Sequence, residues 1–284
     1  MMTLDPWIES LAVASIAVAA FLLGRWLSRL PAPYWLIGYL FPLALILLYC
    51  LATFEPRVAL APPVSWMATG RSRFVTFNFV TTMVLSAPLA RLARKRNRVM
   101  VELLILVLSL TSLLPFLAPA LNQPYLAGLK TRLDPDGVCR QSNEYTCGPA
   151  AAVTALRKLG FPAEEGEIAI LARTSSLTGT EPDTLAKALQ KRYGADGLLV
   201  EYRAFKDLDD LKKAGLTVAV LQFNALQDHC VTILGVATNS VLVADPLSGL
   251  TPISRDEFEN KWQFVGIALK RATVGGGTNA SDAH

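Results

Sequence analysis

Gln141-Ser142-Asn143-Glu144-Tyr145-Thr146-Cys147-Gly148-Pro149-Ala150 carries a polar loop into the start of a helix expected over Cys147 to Leu159, closed by Gly160 and followed by Pro162. A helix start presents unpaired N–H groups and the positive end of the helix dipole. Both favour a thiolate, so Cys147 is the candidate nucleophile. Its possible partners are few. The chain holds 2 histidines, and His284 ends a Gly/Ser/Asn-rich tail. His229 is left as the candidate general base.

Working outward, Glu164 to Ala172 and Pro182 to Tyr193 read as two further helices, the second with Thr180 as its N-cap. The polar loop Thr174 to Thr180 between them is expected to border a cleft. After Gly197 the pattern changes to short β-branched runs: Leu198 to Arg203, Thr217 to Phe223, Cys230 to Val236, Ser240 to Ala244 and Phe264 to Lys270. These read as an antiparallel sheet, with Asp207 to Ala214 and Ser254 to Trp262 as short helices. Helices first and sheet second is the order of an α+β domain, not of a βαβ nucleotide-binding fold. Gly275 to Gly277 lacks the Lys-Ser/Thr of a phosphate loop.

Cysteine catalysis needs an ionisable thiol, a base in reach, a group that orients the base, and donors for the oxyanion. Two antiparallel strands joined by the turn Ala237 to Asn239 would bring His229 beside Asp245, so that Asp245 holds one imidazole nitrogen and the other faces the thiol. The Cys147 N–H and the Gln141 side-chain amide are the candidate oxyanion donors. In an extended strand Asp228 and Cys230 point away from the face that carries His229. That alternation makes Asp228 the poorer orienter, and it argues against zinc shared by His229 and Cys230. The site requires no metal and no cofactor. Cys50 reads as an inert packing residue. Cys139 and Cys230 read as free buried thiols, with a disulfide between them the alternative.

The first 121 residues are of another kind. The chain of 284 residues is 52% hydrophobic, with a mean hydropathy of +0.37, and nearly all the excess lies before residue 122. Crossing a bilayer takes about 20 apolar residues. Trp7 to Leu27, Tyr34 to Phe54, Phe74 to Leu92 and Val99 to Leu121 qualify as spans, the third being the most polar. The first carries Asp5 and Glu9 and no leading Lys or Arg, so it reads as a retained span, not as a secretory signal. Arg91, Arg94, Lys95, Arg96 and Arg98 mark the loop before the fourth segment as cytoplasmic. Counting spans then puts the C-terminal half outside a cell (inner) membrane. Arg57, Arg71 and Arg73 in the second loop oppose that count, and loss of the third span would turn the domain to the cytoplasm. The basic run is explained by headgroups, without nucleic acid. The expected organisation is a membrane region over 1–121, a linker over 122–136, a soluble domain over 137–271 and a disordered tail over 272–284.

Taken in order, Gln141, Cys147-Gly148-Pro149-Ala150, Gly179-Thr180, His229 and Asp245-Pro246 resemble the motifs of the bacteriocin-processing branch of the papain-like cysteine peptidases, family 39 of the cysteine peptidases. The resemblance covers roughly Gly137 to Arg271. It implies a papain-like domain, peptide-bond hydrolysis, and a peptide or protein substrate. The best-known members cleave leader peptides after a double glycine and carry transporter membrane and ATPase domains behind the peptidase. Here the membrane segment comes first and the chain contains no Walker motif. The expectation is therefore a multi-pass membrane-anchored cysteine peptidase, with four spans that leave room for a membrane partner protein. A cytoplasm-facing leader peptidase serving a separate transporter is the alternative topology. Acyl transfer on a non-peptide amide and a catalytically idle peptide-binding module are the competing functions.

Overall fold

Before position 122 the apolar stretches fold into long helices. The computed structural model describes residues 6–54, 64, 67, 71–224 and 227–272. Its first half is built from α1 (Pro6–Leu27), α2 (Ile37–Phe54), α3 (Ser72–Ser86) and α4 (Lys95–Ala127). With the flanking 3-10 turns, Pro6–Leu27, Tyr34–Leu51, Ser72–Arg91 and Lys95–Ala127 are long and apolar enough to cross a membrane. Their outward faces carry Leu11, Leu22, Leu47 and Leu103, each more than half exposed. Ser10, Asn78, Thr82, Ser86 and Ser112 are buried between them. Small and hydroxyl residues at helix contacts with leucine outside is the arrangement that suits lipid, where apolar side chains gain nothing by hiding. Gly24 shows how close the helices come: a Cβ there would stand 1.9 Å from Ser86 Oγ. Cys50 lies exposed on the outer surface of α2 instead of packed inside.

Helix α4 has 33 residues, which at about 1.5 Å per residue span about 50 Å, well beyond the ~30 Å of a hydrocarbon core. It runs six residues into the expected linker and through Pro124, ending at Ala127. Contacts with the second half hold this extension: Leu126 is buried, the Tyr125 hydroxyl donates to Asn143 Oδ1 over 2.9 Å, and Asn122 Nδ2 donates to Ser176 Oγ over 3.2 Å. Packing here outweighs the helix-breaking tendency of the proline.

The second half opens with a short ribbon, β1 (Arg132–Leu133) against β2 (Cys139–Arg140). Helices α5 (Cys147–Lys158), α6 (Glu165–Leu171) and α7 (Pro182–Tyr193) follow. The remainder is a six-stranded antiparallel sheet interrupted by two helices: β3 (Leu198–Ala204), α8 (Leu208–Ala214), β4 (Thr217–Asn224), β5 (Gln227–Val236), β6 (Ser240–Asp245), β7 (Gly249–Ser254), α9 (Arg255–Lys261) and β8 (Trp262–Arg271). Strand order is β3-β8-β4-β5-β6-β7. One face of the sheet, with Val218, Val220, Cys230 and Ile267, packs on α5, α6 and α7. The other, with Leu221, Val231, Ile233 and Val243, packs under Leu208, Leu211 and Phe258 of α8 and α9. The domain is α+β, helices first and an antiparallel sheet after.

Strand β7 is absent from the sequence expectation, and its composition explains why. Pro252 lies inside it, paired with Leu242, and a strand proline reads as a break unless the strand is at an edge, where β7 is. The expected cap of α7 is also different. The N-cap is Glu181, with Pro182 in the first turn, while Thr180 Oγ1 bonds Thr174 Oγ1 over 2.7 Å. The expected tail lies outside the described residues except for Ala272, whose N–H donates to Gly197 over 2.7 Å.

Candidate active site

Cys147 is the first residue of α5, so its own N–H has no acceptor within the helix. The turn before it is tied from within and from outside. Thr146 Oγ1 donates to the Asn143 carbonyl and accepts from the Asn143 N–H, each over 3.1 Å. Glu165, fully buried, accepts from the Ser142 N–H over 2.8 Å and from its hydroxyl over 2.7 Å. Pro149 in the first helical turn removes an N–H that would have lacked a partner there. At Gly148 an added Cβ would lie 3.0 Å from Thr180 Cβ. Glycine beside the cysteine therefore lets the Thr174 to Thr180 loop close against the helix start.

From the sheet side β5 contributes His229 and β6 ends in Asp245. Thr232 pairs with Ala244 in this antiparallel ladder, which makes His229 and Asp245 diagonal neighbours. Their side chains meet: His229 Nε2 and Asp245 Oδ1 are 2.7 Å apart. Asp245 is itself held, its Oδ1 accepting from the Leu247 N–H over 2.8 Å and its Oδ2 from the Ser248 hydroxyl over 2.9 Å. With Nε2 committed, Nδ1 is the nitrogen left for the hydrogen bond to Cys147. Asp228, the rival orienter, accepts instead from the Gln263 amide. Phe223 lies over the imidazole with ring centroids 5.8 Å apart.

These contacts set the charges. The Cys147 thiol is held well below its ordinary pKa. A hydrogen bond from the Cys230 thiol is the largest cause; burial opposes it, and the hydrogen bond and charge of His229 with the Cys230 N–H reinforce it. Burial pulls His229 down, but its hydrogen bonds to Asp245 and Cys147, together with their charges, carry it up to about 9. Burial would raise Asp245, yet the bonds from His229 and the Leu247 N–H keep it below the usual carboxylate value. The three groups thus favour a thiolate, an imidazolium and a carboxylate.

Two features of the site lie outside the sequence expectation. Strand alternation turns Cys230 away from the face that carries His229, and on that other face its thiol and N–H are among the groups that lower the Cys147 pKa. A residue at a helix end above a sheet meets neighbours from both parities, which alternation within one strand does not capture. The Gln141 amide is also less free than expected, since Nε2 donates to the Asn143 carbonyl over 2.8 Å. A primary amide has two such hydrogens, and one remains. Among the described residues, the buried Gln141 Oε1 and Asn143 Nδ2 have no hydrogen-bond partner. Cys139 is a free, buried thiol with its pKa pushed up to about 12 by that burial, and Cys230 is likewise free. The expectations did not include Glu165, and nothing in its sequence surroundings distinguishes it from a solvent-facing helix residue.

Comparison with known proteins places this domain. The family model described as Peptidase C39 family matches residues 137–273. An uncharacterized protein of Methanothermobacter marburgensis is 32% identical over 130 residues, 46% of this chain and 85% of the relative. A second, from Methanothermobacter thermautotrophicus, is 32% identical over 132 residues with the same coverage. Among solved structures, a double glycine motif protease from an AMS/PCAT transporter, in complex with the leader peptide, is 19% identical. It covers 50% of this chain and 94% of its own, with a TM-score of 0.42. The peptidase domain of Streptococcus ComA, a bi-functional ABC transporter, is 21% identical, covers 47% and 96%, and has a TM-score of 0.41. The matched segment contains the whole cluster around Cys147, and the chain belongs to the Peptidase C39 family.

Proposed function

We propose that this protein is a membrane-anchored cysteine peptidase that hydrolyses peptide bonds, with residues 1–121 as its membrane region and residues 137–271 as a peptidase domain on the extracytoplasmic side. The observation that carries the chemistry is the 2.7 Å contact of His229 Nε2 with Asp245 Oδ1, which fixes the ring with Nδ1 toward Cys147. In this reading the Cys147 thiolate attacks the scissile carbonyl. The Cys147 N–H and the remaining Gln141 amide hydrogen donate to the oxyanion. The His229 imidazolium gives its proton to the leaving amine, and the neutral ring then takes a proton from the water that hydrolyses the thioester. Asp245 is a positioning residue, holding the ring and offsetting its charge.

The test is Cys147→Ala, assayed against a peptide library in detergent or native membrane. Turnover is expected to vanish while the thermal melting profile is retained; hydrolysis at the wild-type rate would refute the assignment. A thiol-directed probe should label Cys147 ahead of Cys139 near neutral pH, because only the former is held as a thiolate.

A further inference from the structure

Cys230 has no role in the chemistry above, yet the packing places it against the nucleophile. Thr232 Oγ1 donates to the Ala151 carbonyl over 2.7 Å, which pins β5 to α5. Two residues back along a strand is about 6.7 Å, and four residues back along a helix is about 6 Å. The two steps match, so the next pair along this contact after Thr232 and Ala151 is Cys230 and Cys147. Both sulfurs adjoin the same apolar core. In keeping with that adjacency, the Cys230 thiol and N–H are among the causes that hold the Cys147 pKa down. Its interaction with Cys147, and then burial, keep Cys230 protonated, while Cys147 is partly open to solvent. One cysteine is thus partly exposed and nucleophilic, and the other is sheltered beside it.

We propose that Cys147 and Cys230 are a redox-modification site, in which a peroxide converts them to a reversible disulfide that switches the peptidase off. In the first step the Cys147 thiolate attacks one peroxide oxygen. The S–O bond forms, the O–O bond breaks, and the released hydroxide takes the proton of the His229 imidazolium to become water. Cys147 is then a sulfenic acid. In the second step the Cys230 sulfur attacks the Cys147 sulfur and expels hydroxide, which leaves as water with the Cys230 proton. Two thiols have lost two electrons to one peroxide, and two waters have formed. The disulfide has no thiolate to attack a carbonyl. It also keeps Cys147 from the irreversible sulfinic and sulfonic states, and an added dithiol restores both thiols by exchange. The effect on activity rests on the peptidase reading; the disulfide itself does not.

The experiment treats the full chain, in membranes or micelles, with hydrogen peroxide and maps its peptides without reduction. A cross-linked pair of peptides containing Cys147 and Cys230 is expected, together with at least tenfold loss of peptide hydrolysis that dithiothreitol reverses. In Cys230→Ser and Cys230→Ala the same dose should leave Cys147 trapped by a sulfenic-acid reagent and then over-oxidised. Dithiothreitol should restore little of each variant's own starting activity. A wild-type chain whose Cys147 is sulfenylated or over-oxidised with no Cys147–Cys230 peptide would overturn the proposal, as would a crosslink to Cys139. Equal recovery in wild type and both variants would overturn the protective role. A crosslink without measurable hydrolysis before treatment would leave the disulfide standing and remove the peptidase reading instead.

Discussion

At the level of single residues, the informative quantity is the charge state of the Cys147–His229 pair. Cys147 is depressed and His229 stands at about 9, so between those limits the pair is thiolate and imidazolium, titrating as a coupled unit. Activity should therefore have an alkaline limb near the His229 value of about 9, where the proton needed by the leaving amine is lost, and an acid limb well below the ordinary thiol range, where the thiolate is protonated. Stability follows the same sign. A histidine raised from an ordinary value of about 6.5 contributes stability that is complete below that value and is lost as pH rises through about 9. Cys147→Ala separates the causes, because it removes the thiolate's hydrogen bond and charge and leaves burial opposed by Asp245 alone. The His229 pKa is expected to fall below its wild-type value. With only two histidines in the chain, two imidazole signals in an NMR titration are enough to read it. A value unchanged from wild type would show that Asp245, not the thiolate, holds the ring charged. Asp245→Asn should reduce kcat on the order of 100-fold or more, with a smaller change in KM, since the ring loses its fixed tautomer and orientation.

At the level of elements, the loop that leads into α5 depends on a group outside itself. The Glu165 carboxylate at the start of α6 is its outside anchor, accepting both the N–H and the hydroxyl of Ser142. Glu165→Ala would leave the Ser142 N–H without that acceptor, and is expected to destabilise the domain by about 3 kcal/mol. Glu165→Gln, which keeps one acceptor oxygen, should lie between. Urea unfolding of the two variants checks this; if both matched wild type, the loop would have to be held by its internal Thr146 bonds. This contact also marks how far sequence reading reaches. Helix α5 was legible from its polar lead-in and closing Gly160, and α7 from its Pro182 start, because local chemistry fixes both ends. The His229–Asp245 contact was legible from strand spacing and a short turn. Glu165, the Cys230 contact and β7 were not, since each depends on what another element brings to it, and on an edge position that makes Pro252 acceptable. The ribbon of β1 and β2, with two residues on each side, is too short to leave any period in the sequence.

At the level of the whole molecule, the two ends of the helical bundle differ in chemistry, and that difference bears on which side the peptidase domain occupies. At one end the second half meets the start of α1 and the start of α3. Glu9 pairs with Arg71 over 3.1 Å and also with Arg173, and Arg73 pairs with Glu181 over 2.6 Å. Two of the three arginines that oppose an external domain in a simple count are therefore engaged with acidic partners, one of them on the peptidase domain itself. At the other end Arg25 pairs with Glu102 over 3.4 Å, Arg91 donates to the Ser28 and Leu30 carbonyls, and Arg94, Lys95, Arg96 and Arg98 precede or begin α4. The basic cluster and the peptidase domain lie at opposite ends, as α4 runs from one to the other. If the basic end is cytoplasmic, as the positive-inside rule expects, the domain is outside, which is the placement proposed above. A reporter that folds only outside the cytoplasm, fused at the C-terminus, should be active, and one that fluoresces only inside should be dark. The reverse pair of results would place Cys147 in the cytosol. It would also change what the Cys147–Cys230 pair experiences: glutathione keeps cytosolic thiols reduced, whereas an external site meets oxidants without that buffer. The same fusion strain then gives a second reading of sidedness, because an external domain should show part of its Cys147–Cys230 disulfide in cells before any peroxide is added.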